Sequence, residues 1–151
     1  MLKIGDTAPD FELQNEDGEP ISLEDLLEDE QPLILYFYPA DFTPVCTQEA
    51  CSIRDIHDDI LDANLNVVGV SPQSVASHQR FKKSHKLPFP LLFDEGKKVI
   101  QAYGLNGPMG FGVRRTTFLI DWDKTILNRV NSEFFVGSHI KFIKGAIKSA
   151  R

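Results

Sequence analysis

Between Leu33 and Tyr38 the chain reads LILYFY, and between Asn66 and Ser71 it reads NVVGVS. Short apolar runs without polar alternation are what strands look like when both of their faces are buried. Such strands need helices above and below them, so these two segments constrain the fold more than any other feature. A helix is expected to start near Pro44, a residue favoured in a first turn, and to run to about Ala63. It can place Ala50, Ile53, Ile60 and Leu61 on one buried face beside Cys46. A second helix is expected over SVASHQRFKKSH (74–85), a third over EGKKVIQAYG ending at Gly104, and a fourth over the tail SHIKFIKGAIKSAR.

The remaining segments complete the alternation. Asp10 to Leu13 and the region around Ile21 flank Gly18 and predict a short N-terminal hairpin. SLEDLL (22–27) opens with Ser22 and has Asp25 three residues on, close to a capping box, and predicts a short helix. PFPLLFD supplies a third strand, while RTTFLID and TILNRVN, joined by the turn WDK, predict an antiparallel hairpin. The expected class is therefore α/β, with a mixed central sheet and helices on both faces.

Composition narrows the function. A chain of 151 residues with 42% hydrophobic residues suits a single domain over residues 1–151. The opening MLKIGDTAPD has no basic, apolar leader pattern, and no apolar run reaches the roughly 20 residues of a membrane span, so a soluble, cytoplasmic protein is expected. A net charge of −6 disfavours nucleic acid and anionic lipid as partners, and the basic stretch QRFKKSHK reads as the solvated face of a helix.

Both cysteines, Cys46 and Cys51, lie in the segment YPADFTPVCTQEAC that follows the first apolar run. A structural zinc site needs four ligands, and the four histidines (His57, His78, His85, His139) are scattered, so no metal is expected. If the helix starts near Pro44, the two Cα atoms are roughly 8–9 Å apart on nearly opposite sides of it, beyond the ~7 Å limit for a bridge. Any bond between them then requires the helix to unwind. Cys46 would sit in the first turn, where unpaired amides and the macrodipole favour a thiolate. Spacing alone leaves open whether the pair is reactive or two small buried apolar residues.

Pro39-Ala-Asp-Phe-Thr43-Pro-Val-Cys46 resembles the P-x-x-x-[TS]-x-x-C signature of the peroxiredoxins. The resemblance extends through GDTAPDFEL, LILYFYP, CTQEAC-x-x-RD, VVGVS, FPLLFD and R-x-T-FLID, in the order usual for the bacterioferritin-comigratory, or peroxiredoxin Q, group. It implies a thioredoxin-like fold and a thiol-dependent peroxidase acting on hydrogen peroxide and organic hydroperoxides. By the same resemblance Cys46 is the peroxidatic cysteine, attacking a peroxide oxygen to become a sulfenic acid. Thr43 holds the thiolate and peroxide, Pro39 shields the pocket, and Arg115 reaches the sulfur from a distant strand, in preference to Arg114. Cys51 matches a resolving cysteine that closes an intramolecular disulfide, to be reduced by thioredoxin or a glutaredoxin-like dithiol.

No cofactor is implied, and a monomer is expected, a weak dimer being the alternative. Glu49 is a candidate orienting residue, Met109 and Phe111 are candidates for the pocket mouth or the sheet edge, and Phe134-Phe135 for the core or the rim. The rival readings are a disulfide reductase, disfavoured because it would carry C-x-x-C, a one-cysteine peroxidase, and a redox-sensing or holdase protein using the same thiol switch.

Overall fold

The LILYFY run becomes β3 (Leu33–Phe37), every residue of which is buried. In the computed structural model, which describes residues 1–150, its side chains divide between two cores. Leu33, Leu35 and Phe37 enter one, and Ile34, Tyr36 and Tyr38 enter the other, as the two-residue period of a strand requires. NVVGVS becomes β4 (Asn66–Ser71) over the expected residues, parallel to β3 with Leu33 opposite Asn66 and Phe37 opposite Val70. Gly69 in β4 has a packing reason. A Cβ there would lie 2.7 Å from the Tyr36 ring, so the tyrosine fills the space a side chain would need.

Around these two strands the sheet is mixed. β1 (Glu12–Gln14) and β2 (Pro20–Ser22) form the expected N-terminal hairpin, and β5 (Leu91–Phe93) runs parallel to β4. β6 (Thr116–Ile120) and β7 (Ile126–Asn131) form the second hairpin, antiparallel to β3. The order across the sheet is β2-β1-β5-β4-β3-β6-β7.

Helices cover both faces. α1 (Leu23–Leu26) starts with the capping box: the Ser22 hydroxyl accepts from the Asp25 amide, and the Asp25 carboxylate accepts from the Ser22 amide. It and α5 (Lys98–Ala102) close the core that holds Phe37, Tyr103 and Phe118. The other face carries α2 (Pro44–Asp55), α3 (His57–Asp62), α4 (Val75–His85) and α6 (Val136–Ala150), which bury Ala50, Ile53, Ile60, Phe81 and Ile143.

The single helix expected from Pro44 to about Ala63 is thus two, broken at Ile56 (φ −112°, ψ 12°). Asp58 and Asp59 occupy the first turn of α3, where acidic residues complement a new helix N-terminus. Leu61, expected on the buried face, is about half exposed instead, while Ile60 takes the core position. Among the described residues no helix is long and apolar enough to cross a membrane. The stretch QRFKKSHK lies largely on α4, with Lys82 paired to Glu16 across to the β1–β2 turn.

Candidate active site

Residues 38–43 leave the carboxyl end of β3 and turn into α2, and a buried carboxylate fixes their path. Asp41 accepts the Tyr38 hydroxyl at 2.6 Å, the Ser77 hydroxyl at 2.7 Å and His78 Nδ1 at 2.7 Å. His78 Nε2 faces the Leu92 carbonyl at 3.0 Å. Both ring nitrogens of His78 thus face oxygens, and the ring bridges Asp41 to the end of β5. The next residue, Phe42, holds a left-handed φ of 63° and packs on Phe81 and His85 of α4 while staying half exposed.

Thr43 is the N-cap of α2 and Pro44 its first residue. Cys46 falls in the first turn, where a helix offers its amides no carbonyl partner. The residue is 2% exposed, and Arg115 Nη2 donates to its sulfur at 3.1 Å. Arg115 stands at the residue before β6 and is held on three further sides. Its Nε donates to the Glu133 carbonyl at 3.0 Å, its own amide to the Glu133 carboxylate at 2.9 Å, and Nη1 to Glu49 Oε1 at 2.8 Å. Burial by itself would weaken the charge on this guanidinium, but Glu49 and the Cys46 sulfur hold its pKa above the ordinary value. Arg114, the competing candidate, turns the other way and donates Nε to the Asn106 carbonyl at 3.1 Å.

Glu49 lies on α2 one turn after Cys46 with its side chain fully buried. Burial pushes its pKa up to about 7 against the downward pull of the Arg115 charge and hydrogen bond. Its second oxygen, Oε2, has no hydrogen-bond partner and sits 3.6 Å from His139 Nδ1. That nitrogen is 2.8 Å from the Thr117 hydroxyl, and Nε2 is 2.8 Å from the Ser132 carbonyl, which can only accept. Burial lowers the His139 pKa, and the neutral tautomer that satisfies the Ser132 carbonyl carries its proton on Nε2 and accepts from Thr117 at Nδ1.

The cavity above the sulfur has a volume of about 570 Å³ and a mostly apolar lining. Pro39, Thr43, Cys46 and Arg115 all line it, so the four residues that the sequence assigned to one pocket do share one. The Thr43 hydroxyl, expected on the sulfur, donates instead to the Ala40 carbonyl at 2.9 Å. With that proton committed, its oxygen is left as an acceptor facing the cavity. Phe111 and Phe134 form the rim, both largely exposed, whereas Met109 projects into solvent against neither the mouth nor the sheet edge. Phe135 is on the surface rather than in the core. The Phe111 loop is braced by Lys97, which donates to the Gly110 and Gly112 carbonyls.

Cys51 is on the same helix and both thiols are free. It does not line the cavity; it is partly exposed, with Arg54 Nη1 at 3.7 Å from its sulfur. Among the described residues no group of three or more Cys, His, Asp or Glu side chains could hold a metal ion. His57 packs by its ring against Phe89, with burial lowering its pKa, and takes no part in the site. Sequence reasoning missed Asp41, His78, Glu133 and His139 as site-building residues. Asp41 alone carried a signal, as the one acid inside the PADFT segment.

The arrangement can do thiol chemistry on a small electrophile: a sulfur at a helix N-terminus, a fixed guanidinium beside it, and an apolar approach. The AhpC/TSA family model matches residues 4–129. A putative peroxiredoxin bcp of Coxiella burnetii is 39% identical over 152 residues, covering 97% of this chain and 99% of its own. The crystal structure of the peroxidoxin BcpB from Mycobacterium tuberculosis superposes with a TM-score of 0.92 at 36% identity, covering 100% of this chain and 99% of that one. The bacterioferritin comigratory protein of Xanthomonas campestris, studied for alkyl peroxide reduction in trapped intermediate and ligand complexes, gives a TM-score of 0.84 at 26% identity over 93% of this chain and 92% of its own. The fold is thioredoxin-like, and the chain belongs to the AhpC/TSA family as a peroxiredoxin of the bacterioferritin-comigratory, or peroxiredoxin Q, group.

Proposed function

We propose that this peroxiredoxin reduces hydrogen peroxide and organic hydroperoxides at Cys46. The observation that carries the reading is the 3.1 Å contact between Arg115 Nη2 and the Cys46 sulfur at the floor of an otherwise apolar cavity. A permanent cation there favours the thiolate, which is the nucleophile. The thiolate attacks one peroxide oxygen, the O–O bond breaks, and the leaving oxygen departs as water or an alcohol once it takes a proton. The Arg115 donors and the free first-turn amides face the place where negative charge builds on that oxygen. Thr43, its own proton held by Ala40, would accept a hydrogen bond from the incoming hydroperoxide.

Cys51 then serves as the resolving thiol. Both sulfurs lie on one regular helix, Pro44–Asp55, so the earlier distance argument applies: roughly 8–9 Å between Cα atoms until part of α2 unwinds. The disulfide would be reduced by thioredoxin or a similar dithiol. The Phe111 and Phe134 rim suits an alkyl substituent on the peroxide, as the alkyl peroxide reduction studied for the Xanthomonas relative suggests for this group. An antioxidant role in the cytoplasm, as a monomer, fits the acidic sequence.

The test is intact-protein mass spectrometry after one equivalent of hydrogen peroxide. Loss of two hydrogens mapped to Cys46 and Cys51 is expected, whereas a stable added oxygen would replace this cycle with a one-cysteine peroxidase. Cys46→Ser should abolish peroxide consumption, and thioredoxin-coupled turnover at the parent rate would overturn the assignment of the attacking thiol. A sensor would bind a partner on oxidation and show negligible steady-state turnover.

A further inference from the structure

Cys51 has a charged neighbour of its own, separate from the Arg115 that faces Cys46. Arg54, one turn further along α2, places Nη1 at 3.7 Å from the Cys51 sulfur and donates the same nitrogen to the His85 carbonyl at 2.8 Å. The other edge of the guanidinium is taken by Asp55, with Nε and Nη2 each 3.0 Å from Oδ1. With that edge occupied, Nη1 is the nitrogen that reaches the sulfur. The His85 carbonyl belongs to the last residue of α4, where a helix leaves its carbonyls without partners. Arg54 therefore ties the C-terminal half of α2 to the end of α4 while contacting the second thiol.

We propose that Arg54 is a catalytic residue of the disulfide-forming step. The proposal rests on the reading of Cys51 as the resolving thiol and adds what makes that thiol reactive. Resolution needs an electron pair from Cys51: the S–S bond forms as its thiolate attacks the Cys46 sulfenic sulfur, and the S–O bond breaks. Hydroxide leaves and takes up a proton to become water. Arg54 favours the thiolate form by proximity of a permanent positive charge. Its bond to His85 also fixes which sulfur travels. With Arg54 bonded to the end of α4 and Asp41 pinned to Ser77 and His78 of the same helix, the part of α2 left to unwind is its first half, Pro44 to Ala50. Cys46 moves toward a waiting Cys51.

The experiment compares the wild type with Arg54→Gln and Arg54→Lys. Each is mixed with one equivalent of hydrogen peroxide, quenched at intervals and weighed intact, so peroxide consumption and disulfide closure are read separately. Arg54→Gln should slow closure about tenfold relative to the peroxide step, with Arg54→Lys recovering part of the rate. In a Cys46→Ser background, the pH dependence of Cys51 alkylation should move to higher pH with Arg54→Gln and part of the way back with Arg54→Lys. A purely structural tie would leave that pH profile in place. If the wild type closes its disulfide and Arg54→Gln closes at the same rate, the role of Arg54 falls while the two-cysteine cycle stands. A wild type that stops at the added oxygen overturns both.

Discussion

Asp41 and His78 meet as a fully buried hydrogen-bonded pair, Oδ2 to Nδ1 at 2.7 Å, directly ahead of the helix that carries Cys46. The three donors around the carboxylate come from two parts of the fold: Tyr38 from the end of β3, Ser77 and His78 from α4. Asp41→Ala leaves the Tyr38 hydroxyl and His78 Nδ1 without their buried acceptor, and each unsatisfied buried polar group costs about 1–3 kcal/mol. The free energy of urea unfolding should fall by at least that amount. Because the anchored loop also carries Pro39 and Thr43, peroxide consumption should fall even where the variant stays folded. A loss well under 1 kcal/mol would mean that the loop is held by packing instead.

Arg115→Ala removes the cation beside Cys46 and the donors that the proposed mechanism directs at the leaving oxygen. Loss of one such preorganised donor typically lowers a rate by about 10²–10³. The second-order rate with hydrogen peroxide is expected to drop by at least that factor, and the pH dependence of Cys46 alkylation to move upward. An unchanged alkylation profile would show that the helix N-terminus alone sustains the thiolate.

Glu49 gives the site a pH dependence near neutrality. Burial raises its pKa from 4.5 to about 7, so the folded protein binds its proton more tightly than the unfolded chain does. The stabilisation this represents is complete below pH 4.5 and is lost as pH rises through about 7. Glu49→Gln, which cannot ionise, should flatten the decline in stability over that window in denaturation curves taken at a series of pH values. It should also leave the Arg115 charge unshared at pH 8, where the parent carboxylate competes with the Cys46 sulfur for it. Identical pH–stability curves for parent and variant would place the Glu49 titration outside this range.

Gly69→Ala tests the packing beneath the site. The new Cβ would meet the Tyr36 ring at 2.7 Å, in a core that also contains Tyr38 and Cys46. Overpacking of this kind costs about 1–3 kcal/mol, to be read as a shift of the urea midpoint at constant slope. An unshifted midpoint would mean that the Tyr36 ring moves aside freely.

The two apolar runs announced β3 and β4 because burial on both faces leaves a mark in every residue of a strand, and the capping box announced α1 because its partners are three residues apart. The break at Ile56 went unread although Asp58 and Asp59 marked a new N-terminus; acidic residues on an exposed helix face read equally well as solvated. Cys46, Thr43 and Pro39 were legible from a local signature, and Arg115 from a second. His78 and His139 were not, since what each one does depends on an oxygen 37 or 7 residues away, Asp41 Oδ2 or the Ser132 carbonyl. In sequence a histidine that completes a buried network is indistinguishable from one in solvent.

The 2% exposure of Cys46 works as a sieve. With α2 wound, the sulfur meets only what can enter a cavity of about 570 Å³, which admits a small molecule and not the face of another protein. Encounters are thus sorted by size before any chemistry begins, and a macromolecular thiol has no route to the Cys46 sulfur in this conformation.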